Sequence, residues 1–258
     1  MKIIQITLLI LSFLCALPKL DFQGNFNIIF DIDIPKELPN NLVHSLQEGT
    51  VVYENKDNTK LKNIVLNPNM FKSLSMNGNG LITFKKPADF DSISLKSDYK
   101  LILNGPWFTK DITFDGDGLI QSKKVQFQKI NITLKGKIDV VLQGYLNVGE
   151  INAHDLSQID LYWVDSNVLK INTYDNALVK VAGKCNVLNL QLKDKSRIIS
   201  ESLRAKEIYS KSSDSSIVKI LALKDLYVLA SDFSEVWQIN KNSNNFIKLE
   251  DNAVYINP

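Results

Sequence analysis

The residues in this sequence that could do chemistry are a series of aspartates, a few glycine-rich turns, one cysteine in the body of the chain and a scatter of aromatics. Cleaving a polysaccharide on a repetitive scaffold needs two carboxylates at close range, one to give a proton and one to take it or attack. Aspartate recurs at Asp155, Asp160, Asp165 and Asp175, and again at Asp214, Asp225 and Asp232. Asp160 falls mid-strand on the outward side. The others mark corners, where aspartate favours turns in any case. No pair stands apart from the rest, and the only two histidines, His44 and His154, are far apart in sequence. The residues name no catalytic set, no metal set and no cofactor, and the chain reads as a non-enzyme.

Asp115-Gly116-Asp117-Gly118 could offer carboxylate and carbonyl oxygens to calcium. Without the repeated calcium-binding nonapeptide, a single such segment reads as a turn. Gly78-Asn79-Gly80 and Gly116-Asp117-Gly118 also resemble phosphate-cradling loops, but they lack a third glycine and a following helical pattern. Glycine supplying positive φ at a tight corner accounts for them better. Cys185 has no histidine nearby in sequence and reads as a small, partly buried side chain. The aromatics are the stronger binding candidates. Tyr162, Tyr209, Tyr227 and Trp237 follow Leu161, Ile208, Leu226 and Val236, which face inward, so all four are expected to point out as a strip. Such a strip could stack on sugar rings or seat a protein partner.

The elements that must carry these residues are set by a period. Short strands begin at Val140, Ile159, Val179, Ile198, Val218 and Val236, in steps of 19, 20, 19, 20 and 18. A second series, Ile151, Leu169, Leu188, Ile208 and Leu226, runs between them in steps of 18, 19, 20 and 18. Two interleaved series sharing one period describe a solenoid in which each unit is one coil. Within a coil, Val179 and Val181 face inward around Lys180, and Leu188, Leu190 and Leu192 do so around Asn189 and Gln191. At Ile198-Ile199 either residue could be the inward one, since a slip of one reverses the faces. The two Gly-x-Gly segments lie 38 residues apart, or two periods, which predicts one shared corner two coils apart. The expected fold is all-β: a single-stranded parallel β-helix of about 19 residues per coil, capped at both ends. Residues 73–239 are the coils, 19–72 an N-terminal cap with lead-in strands, and 240–258 a C-terminal cap.

Residues 1–18 read as an export signal. Lys2 precedes an apolar run from Ile3 to Leu17 broken only by Gln5, Thr7 and Ser12, shorter than the ~20 residues a spanning helix needs. Cleavage is expected after Ala16. Cys15 raises lipidation as an alternative, although Leu14 stands where a lipobox takes a small residue. The net charge of +2, with only Arg197 and Arg204 among 30 basic residues, gives no patch that argues for nucleic acid.

The chain resembles the head GIN domain of bacterial envelope proteins, also labelled an auto-transporter adhesin domain. The resemblance rests on Phe71-Lys-Ser-Leu74-Ser-Met-Asn-Gly78-Asn-Gly80-Leu-Ile82 and on recurring units such as Leu101-Ile-Leu-Asn-Gly105 and Val140-Val-Leu-Gln-Gly144. Leu161-Tyr-Trp-Val164, Val181-Ala-Gly183, Leu203-Arg-Ala205 and Leu229-Ala-Ser-Asp232 are similar to a secreted subgroup. The resemblance implies a right-handed parallel β-helix at the cell envelope, with no established activity and no catalytic residues. The expected function is that of an exported, non-enzymatic surface or periplasmic binding protein, located in the periplasm, in the outer envelope or outside the cell. Its partner would be a glycan or an envelope or host surface protein, and its only membrane contact the signal segment. A polysaccharide-active enzyme on the same scaffold and a purely structural envelope component are the alternatives.

Overall fold

One inward aliphatic followed by one outward polar residue, sustained for a few residues and then broken by a glycine or an aspartate, winds a chain into coils. The structure, a computed structural model, describes residues 17–36, 44–47, 49–57, 60–240 and 243–257. The expected export segment lies outside these up to Ala16, and with it Cys15. The described residues form strands and a single 3-10 turn, Pro68–Met70. They build a parallel β-solenoid of about nine turns, each of about 20 residues. Among them no helix is long and apolar enough to cross a membrane.

The N-terminal end departs from the period. Coiling starts not at residue 73 but at β1 (Lys19–Gln23) and β2 (Phe26–Phe30). After β3 (His44–Gln47), β4 (Thr50–Glu54) and β5 (Lys62–Leu66) come β6 (Ser73–Asn77) and β7 (Gly80–Phe84). β1 pairs in parallel with β4 on one side and β6 on the other, and β2 sits likewise between β5 and β7. The first coil of the chain is therefore threaded between two later ones, which is why spacing along the sequence is irregular there. β3 pairs antiparallel with β4 and covers its edge, as a solenoid end requires. Stacked rings fill this end, Phe22 on Tyr53 at 5.3 Å and Phe30 on Phe84 at 4.9 Å. Lys85 reaches the buried Asp31 at 2.7 Å and ties the threaded coil to its neighbour.

From β8 (Ala88–Asn104) and β9 (Trp107–Ala153) onward, order in sequence is order in space. β10 (Gln158–Thr173), β11 (Leu178–Leu192), β12 (Arg197–Ser212) and β13 (Ile217–Ala230) each bend through most of a coil, and β14 (Glu235–Gln238), β15 (Asn244–Leu249) and β16 (Val254–Ile256) finish the stack. Val140, Ile159, Val179, Ile198, Val218 and Val236 form one buried column. Leu169, Leu188, Ile208 and Leu226 form another. Ile151 pairs with Ile171 rather than Leu169, so the first step of the second series is two residues out; a shift of two keeps the same side inward. Ile198 is the inward residue of its pair, and Ile199 faces out half-buried.

One corner runs the length of the solenoid. Gly24, Gly78, Gly116 and Gly136 occupy it with positive φ in the early coils; Asp155, Asp175, Asp194, Asp214, Asp232 and Asp251 take over with φ between 56° and 61°. Ser97 is the register partner of Gly116 and fills the coil between the two Gly-x-Gly segments, so they share a corner as the two-period spacing predicts. Aspartate tolerates the left-handed conformation because its short side chain can bond backbone nearby. Here the carboxylate reaches one coil back: Asp194 accepts from the N–H of Asp175 at 3.1 Å, and Asp214 from that of Asp194 at 3.2 Å.

The other end differs from the expected cap. β15 pairs in parallel with β13, and β16 with β14, so residues 243–257 make a further coil rather than a separate cover. What changes is its interior. Asn245 stands in the column of Leu226, and its amide donates to Gln238 Oε1 and Tyr255 Oη, each at 3.0 Å. The Tyr255 hydroxyl donates to Gln238 as well. The aliphatic core ends in amides and a phenol, groups that water at the open end can also satisfy.

Candidate functional site

The four aromatics expected as one strip all face outward, but the structure divides them among three places. Tyr209 and Tyr227 are register partners on β12 and β13, on the face that precedes the aspartate corner, and Phe246 continues their column on β15. Trp237 lies on β14, on the face beyond that corner, in register with Lys219. The Lys219 ammonium stands 5.8 Å from its ring centroid, and the indole N–H donates to Glu235 at 3.0 Å. Tyr162 sits at a second corner, beside Trp163. Alternation along a strand tells inside from outside, not which face of the coil a strand belongs to, and the single strip is corrected on that ground. Phe246 was missed because residues 240–258 read as a cap; its place 19 residues after Tyr227 was the available signal. Of the other aromatics, Trp107 is fully buried, and Tyr174 stacks on His154 at 4.7 Å.

Tyr209, Tyr227 and Phe246 form a ladder, with centroids 4.7 and 4.9 Å apart and ring planes within 3° and 6° of parallel. It runs along a groove of about 650 Å³ whose flank carries Asn189, Gln191, Lys211 and Lys248. Lys248 is paired with Glu250 at 2.7 Å, whereas Lys211 has no ion-pair partner among the described residues. Because the rings stack face to face, Tyr227 has neither face free. The ladder offers hydroxyl edges and flanking amides and ammonium groups. The two ends of the ladder, Tyr209 beside Asn189 and Phe246, 58% exposed, each carry a ring on one face only.

The second corner carries a different arrangement. Outside glycine, seven described residues have positive φ; six are the corner aspartates and the seventh is Trp163, at 65°. For an L-residue that conformation costs about 1–2 kcal/mol. The aspartates recover part of the cost through their carboxylate bonds. Trp163 makes no side-chain hydrogen bond or ring contact among the described residues and is 63% exposed. The register jumps here, so that Trp163 lies across from Gly144 and Tyr145 on one side and across from Ala182 on the other. Gly144 and Gly183 have positive φ at the same corner of the flanking coils, and a Cβ on Gly183 would come within 2.1 Å of the Val164 carbonyl oxygen. Tyr145 and Tyr162 stand beside Trp163, 59% and 42% exposed, and the Tyr145 hydroxyl donates to Asp165 at 3.2 Å.

The chain matches no family model and no curated protein.

Electrostatics bear on what either place can do. Asn244 donates to Asp225 at 2.9 Å and Lys224 sits 3.0 Å away, together holding that carboxyl below the usual aspartate range. Lys170, at 2.9 Å, does the same to Glu150. Wherever a described carboxyl is displaced, the displacement is downward, caused mainly by a neighbouring ammonium or amide. A general acid needs the reverse. Burial pushes the Cys185 thiol up to about 12, which removes the thiolate a nucleophile would need. Asp115 and Asp117 stand at the glycine end of the first corner, and among the described residues no three His, Cys, Asp or Glu side chains gather closely enough to hold a metal.

Proposed function

We propose that this chain is an exported, non-enzymatic β-solenoid that binds glycan of the cell envelope or of a host surface through its outer faces. The observation that carries the reading is the outward display of rings beside amides and ammonium groups on an otherwise rigid stack, in the ladder groove and at the second corner. Sugars present an apolar ring face and a rim of hydroxyls, and surfaces that hold them combine aromatic area with hydrogen-bonding side chains. The downward-displaced carboxyls favour binding over cleavage, since none of them is held as a proton donor. The apolar run after Lys2 supports export, and the resemblance to the head GIN domain supports an envelope location.

The test is retention of the purified protein on isolated cell-wall sacculi and on glycan-coated beads, with soluble glycan as competitor. Retention that free glycan competes away is the expected result. Retention that only protease treatment of the surface abolishes would replace the glycan with a protein partner. Release of reducing ends from the same glycan would overturn the non-enzymatic reading.

A further inference from the structure

We infer that the corner of Trp163, Tyr145 and Tyr162 is a subsite for an acidic glycan chain, with one sugar ring stacked on Trp163 and the anionic group of a neighbouring sugar held by Arg204 and Lys206, two coils on. The inference rests on the glycan-binding reading above and says where the sugar sits and of what class it is. Trp163, at φ 65°, is in the left-handed region, at a corner where the flanking coils carry positive-φ glycines, Gly144 at 148° and Gly183 at 138°. Glycine in its place would relieve the backbone, so the indole is there for what its ring contacts rather than for the corner it strains. It does not fill the core, being largely exposed.

The neighbours along the axis leave that ring open. Gly144 on one side and Ala182 on the other have no side chain large enough to lie over an indole, and Tyr145, also across from it, makes no ring contact with Trp163 among the described residues. This is the opposite of the Tyr209–Tyr227–Phe246 ladder, where each ring covers the next. A free indole face flanked by two exposed phenols can take the apolar face of a pyranose.

The class of sugar follows from a groove that begins at Asp165, two residues past Trp163, and crosses to Arg204 two coils on. It has a volume of about 550 Å³, and Asp165, Asn167, Lys184, Asn186, Arg204 and Lys206 are among its lining residues. Lys184 is engaged with Asp165 at 3.1 Å, and the Asn186 amide donates to Asn167 at 2.6 Å. Arg204 and Lys206 have no ion-pair partner among the described residues. An anionic substituent would satisfy both, and the planar guanidinium suits a carboxylate or a sulfate in two-point contact.

The experiment is affinity electrophoresis of the purified protein through gels containing polygalacturonate, hyaluronate, heparin or neutral dextran, at two salt concentrations. Alongside it, tryptophan emission reports on Trp163, the most exposed of the three indoles, against half-buried Trp237 and buried Trp107, and the Trp163→Gly protein gives the emission of the other two. The expected result is retardation by a carboxylated or sulfated polymer and not by dextran, with a blue shift on binding. The polygalacturonate and heparin gels separate carboxylate from sulfate as the anion recognised. Trp163→Gly should weaken retardation tenfold or more, abolish the blue shift and leave the melting temperature unchanged or higher. Trp163→Phe should restore part of the binding. Arg204→Gln should weaken binding and flatten its salt dependence.

A Trp163→Gly protein that is retarded like wild type overturns the subsite, and if Tyr209→Ala/Tyr227→Ala then loses retardation the glycan reading survives at the ladder. A Trp163→Gly protein that melts well below wild type shows the indole to be a structural piece, which also overturns the inference. Equal retardation by dextran overturns the acidic class. No retardation in any gel overturns the subsite, and retention on sacculi then decides the glycan reading separately.

Discussion

Two glycines with the same sign of φ should respond very differently to a single methyl group. Gly49, at φ 76°, has nothing within 4 Å of where a Cβ would stand. Gly49→Ala therefore adds only the left-handed cost, about 1 kcal/mol. Gly183, at φ 138°, would put its Cβ 2.1 Å from the Val164 carbonyl oxygen and 2.6 Å from the Val164 nitrogen. Close carbon–oxygen contacts in sheets settle at about 3.3–3.6 Å, so the overlap exceeds 1 Å, and the obstacle is backbone. It cannot withdraw cheaply, because β10 and β11 are hydrogen-bonded in register on both sides of the corner. Adding overpacking of about 1–3 kcal/mol to a conformational cost of about 1–2 kcal/mol gives a loss of roughly 2–5 kcal/mol for Gly183→Ala. At about 2–4 °C per kcal/mol for a chain near this size, the melting temperature should fall by roughly 4–20 °C, against a few degrees for Gly49→Ala. Thermal melts by far-UV circular dichroism give the comparison, and hydrogen exchange at the amides around Asp165 and Lys184 should show the opening to be local. Equal losses for the two variants would refute the argument that coil spacing, rather than φ, fixes glycine at this corner.

Leu190→Asp places a charge in the buried Leu188–Leu192 segment and should cost several kcal/mol, while Gln191→Asp, facing out, should cost under ~1 kcal/mol; matching urea midpoints would show the register to be wrong. The buried Cys185 thiol, pushed up to about 12, should stay unmodified by a maleimide at neutral pH until urea unfolds the chain, and prompt labelling of its peptide in the folded protein would contradict its burial. The Asp31 carboxyl is held below the ordinary value of 3.8 chiefly by the hydrogen bond from Lys85, then by the backbone N–H of Asp33. Its folded value lies below its unfolded one, so its stabilisation is complete above the unfolded value and is lost as pH falls through the folded one. Lys85→Met should move that carboxyl's titration upward by NMR; an unmoved titration would mean the bond in the structure contributes nothing.

The coil body was legible because burial acts on every second residue and stacking repeats it at a fixed interval. Val179, Ile198, Val218 and Val236 could be aligned by eye, and the two Gly-x-Gly segments could be put on one corner by counting periods. The N-terminal end was not legible, since β1 and β2 are inserted between coils that come later in the chain and no local pattern records that order. The last coil was hidden for another reason. Among its inward positions, Asn245 and Tyr255 interrupt the aliphatic pattern that Ile247 and Leu249 continue. The aromatic strip failed through geometry: Tyr162, Tyr209 and Trp237 share an outward direction within their strands, but those strands lie on different sides of the prism.

The same geometry decides where function can be sought in such a stack. Register places like residues one coil apart, about 4.8 Å, close to the separation at which parallel rings cover each other. A perfect column of aromatics therefore stabilises the solenoid and hides its own ring faces, as Tyr227 shows between Tyr209 and Phe246. Surface able to bind a flat ligand must occur where a column is interrupted. Such interruptions stand at both ends of the ladder and at the second corner. Tyr209, beside Asn189, and Phe246, in the last described coil, end the ladder, and Trp163 stands across from Gly144, Tyr145 and Ala182 at a φ of 65°. Only Trp163 among them holds a left-handed backbone that glycine would adopt at lower cost, and that cost is what sets Trp163 apart from the aromatics the period alone would select.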